Sequence, residues 1–263
     1  MNKVRIGLTE EGSGEPVVLL HCSASTKRQW RPLIGELKGQ YRVFAMDLYG
    51  YGETPFPESP EGFHLGREVE LVEQVLELAG TPAHLVGHSY GGAVALKTAL
   101  RHPERVRSAT VHEPSLFSLL RIHGQEEPWR EIRGLCDGIE EHVRSGSNDL
   151  AAELFIDYFS VAGTWAAMTE SRKAPLEHVT PKVVLDFTAL FADEESVETY
   201  AGLRMPVQVT VGTTSPAPSR AVAELLASVL GPARVLEAAG HMAPTTHGEL
   251  FHAAVREHFK RSG

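Results

Sequence analysis

The chain has 263 residues, 42% of them apolar and 22% charged, with a formal charge of −9. That is enough apolar material for one large α/β domain or two small ones. The acidic balance, with no Lys/Arg cluster long enough to make a phosphate-binding stripe, argues against nucleic acid and anionic membrane surfaces as partners.

The opening MNKVRIGLTEEGSGE has no apolar core of signal-peptide length, and no segment reaches the roughly 18 uncharged apolar residues of a membrane span. Cys22 and Cys136 cannot build a disulfide framework, so free thiols in a cytoplasmic protein are expected. No histidine pairs as HxxxH with acidic company or with a CxxC, so neither a metal nor another cofactor is expected.

Residues 4–9 and 16–21 read as strands flanking the turn EEGSGE, an opening hairpin. VVLLH is a short unbroken apolar run, the pattern of a strand buried on both faces. A helix at 29–37 precedes the strand YRVFAMD, and apolar residues at Val69, Val72, Val75, Leu76 and Ala79 mark an amphipathic helix over 67–79. The strand AHLVGHS, an Ala-rich helix over 90–101 and the strand VRSATVHE follow. Strand signal then nearly vanishes from 114 to 201, where helices are expected at 127–135, 148–161 and 179–191. Alternation resumes with PVQVTV, a helix at 219–230, the strand ARVLEA and a helix at 247–261. The pattern implies a mostly parallel sheet with helices on both faces, formed by residues 1–113 and 202–263 and interrupted by a helical cap at 114–201.

The strongest chemical signal is Gly87-His88-Ser89-Tyr90-Gly91-Gly92, between an apolar strand and a helix. A G-x-S-x-G match is common by chance, but a strand–turn–helix context forces the serine to positive φ and projects its Oγ from the turn. Glycines two before and two after keep the neighbouring backbones from colliding. With VVLLHCSAS after an early strand, FAMDLYGYGETP after the next and AAGHMAP near the end, the chain resembles the α/β-hydrolase fold family over nearly its whole length.

The resemblance implies an eight-stranded, mostly parallel sheet with a cap inserted after the sixth strand. It implies backbone N–H groups of Ser23 and Tyr90 as an oxyanion hole, although Cys22 stands where the family usually has glycine. A thiol nucleophile at Cys22 is the weaker reading, because no elbow surrounds it. His21 is expected to brace the turn, and Asp47 to bind loop amides. His241 matches the family's general base, which can take the serine proton and return it to the leaving group.

The base needs a carboxylate partner. In the family this usually follows the next-to-last core strand, where this chain has VGTTSP. Ser215 occupies the expected site, and no aspartate occurs between Leu203 and Gly263. A less common family arrangement puts the acid after the sixth strand, where this chain has Glu113 just before Pro114. Catalytic groups of open parallel sheets gather at strand carboxyl ends, so Glu113 is the expected acid. The alternative is a serine–histidine dyad with Glu113 bound to loop amides.

A serine nucleophile points to acyl chemistry. The expectation is a serine hydrolase, a monomer or homodimer, cleaving small-molecule carboxylic esters of largely apolar character. C–C hydrolysis of β-diketone-like substrates, which carry carboxylates, keeps Arg121, Arg130, Arg133 and Arg172 of the cap in play. A ligand receptor without turnover on the same fold is the reading from another class.

Overall fold

Unbroken apolar runs make buried strands here, and apolar residues recurring every three or four make the helices that cover them. The computed structural model describes residues 4–262. Strands β1 (Leu8–Gly12) and β2 (Glu15–Leu20) lead to helix α1 (Arg31–Leu37) and strand β3 (Tyr41–Met46). Then come α2 (Leu65–Ala79), β4 (Ala83–His88), α3 (Tyr90–Arg101) and β5 (Val106–His112). Five helices follow without a strand: α4 (Ser118–Ile122), α5 (Glu126–Arg144), α6 (Asn148–Phe159), α7 (Glu170–Phe191) and α8 (Val197–Tyr200). The chain ends with β6 (Val207–Gly212), α9 (Ala217–Leu230), β7 (Arg234–Leu236), α10 (Ala243–Thr246) and α11 (Gly248–Ser262).

The sheet order is β1-β3-β2-β4-β5-β6-β7, with only β1 antiparallel to its neighbour. Alternation along β2 divides the core. Val17 and Leu19 face α1 and α11, packing with Trp30, Leu33, Phe251 and Val255, whereas Val18 and Leu20 pack with α2 and α3. Helices thus cover both faces, and the carboxyl ends of β2, β4, β5 and β6 share one edge.

Three expectations need correction. The sheet has seven strands among the described residues, not eight. Among the described residues before Leu8, Val4 and Ile6 pack on the core but form no strand. The helical stretch therefore follows the fifth strand of this sheet. The opening hairpin does not form either: β1 pairs with β3, because β2 already has parallel partners on both edges in β3 and β4. Finally, α7 starts well before residue 179 and runs through Pro175 and Pro181. Pro181 cannot donate to the Glu177 carbonyl, and the Thr180 hydroxyl bonds that oxygen at 2.9 Å instead.

Candidate active site

Ser89 joins β4 to α3 with φ +55° and ψ −118°. Glycine is required on both sides of it. A Cβ on Gly87 would lie 2.5 Å from the Gly91 carbonyl oxygen, and one on Gly91 only 2.3 Å from that of Leu20. Tyr90 opens α3, where N–H groups have no intrahelical acceptor. Ser89 Oγ lies 3.0 Å from Ser115 Oγ, and the Ser115 N–H donates to the Ser89 carbonyl at 3.2 Å.

Glu113 ends β5's carboxyl edge in a left-handed conformation, φ +44°. One carboxylate oxygen accepts the Gly212 N–H at 2.9 Å and the Ser215 hydroxyl. The other lies 2.7 Å from His241 Nδ1. Burial on its own would raise this acid. The hydrogen bond and charge of His241, with help from His112 and Ser215, outweigh burial and hold Glu113 at about 2. An ionised carboxylate only accepts, so Nδ1 carries the hydrogen, and in the neutral imidazole the free lone pair is on Nε2.

The other imidazoles are scaffold. Gln29 Nε2 donates to His88 Nδ1 at 3.1 Å, and His88 Nε2 donates to the His241 carbonyl at 2.8 Å. The Gln29 side-chain oxygen takes the Cys22 N–H at 3.2 Å. One amide therefore ties the turn after β2, the elbow and the loop bearing His241. Burial pushes His88 well below its ordinary value and His112 down to about 4, so both stay neutral beside His241. His21 accepts the Leu48 N–H at 3.0 Å and donates to the Cys22 carbonyl at 2.7 Å, which braces the turn. Asp47 takes the N–H groups of Lys27 and Glu53 at 2.7 and 3.0 Å. Burial pushes the Cys22 thiol up to about 12, so little thiolate exists near neutrality.

A narrow cavity of about 10 Å³ is lined by Ser89 together with Ser23, Ser115 and Asp186 and the rings of Phe117, Phe155, Phe159 and Phe187. The Phe159 ring also packs 4.6 Å from that of His241. A larger cleft beside α2 and α3, lined by His64, Lys97 and Asp193, contains none of the residues singled out from the sequence.

Glu113 and His241 are thus in contact, whereas the Ser89 hydroxyl is turned to Ser115 and not hydrogen-bonded to His241. Ser23 borders the same cavity, but its side chain is bound elsewhere, to Asp186 at 2.6 Å. Sequence reasoning missed Ser115, Gln29 and Asp186, and assigned Ser215 no part. Ser115 could have been found, since it lies two residues beyond Glu113 at the same strand end. Nothing local marks Asp186, which reaches the site from 163 residues beyond Ser23. The cap arginines lie away from the cavity: Arg121, Arg130 and Arg172 are exposed, and Arg133 pairs with Asp137. Among the described residues no group of three or more His, Cys, Asp or Glu is placed to hold a metal, and no helix is long and apolar enough to cross a membrane.

Comparison with known proteins agrees with this fold and with hydrolase activity. The chain is 35% identical over 165 residues to a 2-hydroxymuconate semialdehyde hydrolase of Pseudomonas sp. (strain CF600), covering 57% of this chain and 56% of that protein. It therefore spans about half the length of that relative. It is 30% identical over 203 residues to a pimeloyl-[acyl-carrier protein] methyl ester esterase of Aliivibrio salmonicida, covering 75% of this chain and 73% of the esterase. The enol-lactonase of Burkholderia xenovorans LB400 superimposes with a TM-score of 0.77 at 18% identity, over 98% of each chain, a likeness of fold alone. These relatives support hydrolase activity. The description "Alpha/beta hydrolase family" matches residues 17–254, and the chain belongs to that family.

Proposed function

We propose that the protein is a serine hydrolase that cleaves carboxylic esters of small to medium, largely apolar substrates through an acyl-enzyme on Ser89. The observation that carries this reading is the Glu113–His241 contact of 2.7 Å, which leaves Nε2 of the neutral imidazole as the base, on a loop tied to the Ser89 elbow by the His88 bond to the His241 carbonyl. His241 Nε2 takes the Ser89 proton as Oγ attacks the ester carbonyl. Glu113 holds the imidazole in that tautomer and stabilises the imidazolium that forms. The N–H groups of Ser23 and Tyr90 receive the oxyanion. Collapse breaks the ester bond, and the leaving alkoxide takes the proton from Nε2. Water then adds to the acyl-enzyme with the same base and releases the acid and Ser89.

Residues 114–201 serve as the cap, which supplies Phe117, Phe155, Phe159 and Phe187 to the cavity. That lining favours an apolar acyl group. C–C hydrolysis remains the second reading, supported by 35% identity to the semialdehyde hydrolase. The cavity weighs against its carboxylate-bearing substrates, because it holds the Asp186 carboxylate and no arginine.

A panel of p-nitrophenyl esters from acetate to palmitate, run beside a β-diketone-like C–C substrate, tests the proposal. Turnover is expected to be highest on the short esters and absent on the C–C substrate. The reverse preference would replace the ester reading. A protein that turns over neither substrate and is unlabelled at Ser89 by a fluorophosphonate would be a receptor instead.

A further inference from the structure

Helix α7 carries Lys182 and Asp186 one turn apart, and both are 1% exposed. Lys182 Nζ bonds Asp186 and lies 3.2 Å from Glu68 of α2. The rings of Tyr51, Phe63 and Tyr90 surround the ammonium at 4.8–5.0 Å. The core makes room for it, since a Cβ on Gly50 would come 3.0 Å from Lys182 Cγ. Two carboxylates and one ammonium enclosed in this way are costly to desolvate, and apolar side chains would fill the space at no such cost.

The ties that leave the cluster are specific. Asp186 accepts the hydroxyl of Ser23 at 2.6 Å and that of Tyr51 at 2.6 Å. Glu68 accepts the hydroxyl of Tyr90 at 3.2 Å and the N–H of Tyr49 at 3.2 Å. Ser23 and Tyr90 lie on unconnected elements, the turn after β2 and the start of α3. They are the two residues whose N–H groups form the proposed oxyanion hole, and Lys182 bridges the two carboxylates that hold their side chains.

We propose that Lys182, Asp186 and Glu68 are positioning residues for the oxyanion hole: with α7 seated on the core, the bridged carboxylates fix Ser23 and Tyr90 so that both N–H groups meet one developing oxyanion. The inference rests on the serine-hydrolase reading above. Oxyanion donors must sit within about 0.5 Å of their working positions, and the cluster adds a second tie between the turn and the elbow beside that of the Gln29 amide. Loosening either tie should therefore weaken binding of the tetrahedral species and leave ground-state binding nearly intact.

The test compares Lys182→Met, Ser23→Ala, Ser23→Thr and Tyr90→Phe with the wild type on a short ester, together with inhibition by a trifluoromethyl ketone that Ser89 would convert to a tetrahedral adduct. Ser23→Ala and Tyr90→Phe each remove one hydroxyl and keep the backbone donor, so they report even if Lys182→Met does not fold. Each is expected to lower kcat about 5- to 30-fold with KM within threefold, and to raise the ketone Ki by the same factor. Ser23→Thr, which keeps the hydroxyl, should recover most of the loss. If the ketone inhibits all variants as it does the wild type, the cluster has no part in the oxyanion hole, whatever it does for stability. If the ketone fails on the wild type as well, the serine-hydrolase reading falls and takes this inference with it.

Discussion

Glu113 and Asp186 make an instructive pair. Each is 1% exposed, and each accepts hydrogen bonds on both carboxylate oxygens. Yet Glu113 is held at about 2, whereas Asp186 is raised from its ordinary value. For Asp186 burial is the larger influence and Lys182 offsets only part of it, since that ammonium also serves Glu68, itself raised by burial. Glu113 has a backbone N–H, a hydroxyl and an imidazole, and no second carboxylate competes for them. Equal burial therefore yields opposite chemistry, and the donor set decides which. A carboxylate that must stay ionised to orient a base is built one way. One that only anchors hydroxyls tolerates the other.

The largest expected effect is at the atom both sites serve. Ser89→Ala should lower kcat on a short ester by about three orders of magnitude or more while the fold survives, because alanine is smaller than serine in the same turn. Near wild-type turnover would reduce Ser89 to scaffold.

The two carboxylates should also differ in how stability depends on pH. Glu113 has a folded value of about 2 against an ordinary 4.5, so its contribution is present above 4.5 and is lost as pH falls toward 2. The stability gap between wild type and Glu113→Gln should be flat near neutrality and shrink by about 3 kcal/mol over that acid range. Asp186 is raised from 3.8, so its contribution is full below 3.8 and is lost as pH rises from there. The gap between wild type and Asp186→Asn should therefore shrink in the opposite direction. Denaturant titrations at several pH values measure both slopes, and slopes of the same sign would break the comparison.

Smaller effects sharpen it. Ser215→Ala removes a hydroxyl that bonds the ionised Glu113, a bond worth about 1.5–3 kcal/mol, and should cost roughly tenfold in kcat. Cys22→Gly should alter kcat by less than about tenfold, since the proposed oxyanion donors are backbone N–H groups. Loss of acyl-enzyme in that variant, with Ser89 intact, would point to thiol chemistry.

Much of the fold was legible because local pattern and tertiary role coincide. VVLL and VFAM are apolar throughout since both faces of those strands are covered. The elbow was legible for the same reason: Gly87 and Gly91 are dictated by a clash, and the strand–turn–helix pattern surrounds them. Glu113 could be read from its place at a strand end, together with the missing aspartate after β6. The partnership of β1 with β3 was not legible, because the turn EEGSGE looks the same whether or not its flanking strands pair. Prolines at 175 and 181 hid the first half of α7, where tertiary packing overrides a local breaker. Asp186, Lys182 and Glu68 read as ordinary charged positions on amphipathic helices. Only the seating of one helix on the other brings them together.

The central claim is that Glu113 orients His241 for Ser89, and kcat of the Glu113→Gln enzyme on a short ester tests it most directly. Glutamine keeps the volume but can donate where His241 Nδ1 needs an acceptor, so the wrong tautomer is favoured and kcat should fall about 10²- to 10⁴-fold. The double variant Glu113→Gln/Ser215→Asp, which returns a carboxylate after β6, should regain part of that loss. A Glu113→Gln rate within threefold of wild type would contradict the account and leave His241 to work without this acid.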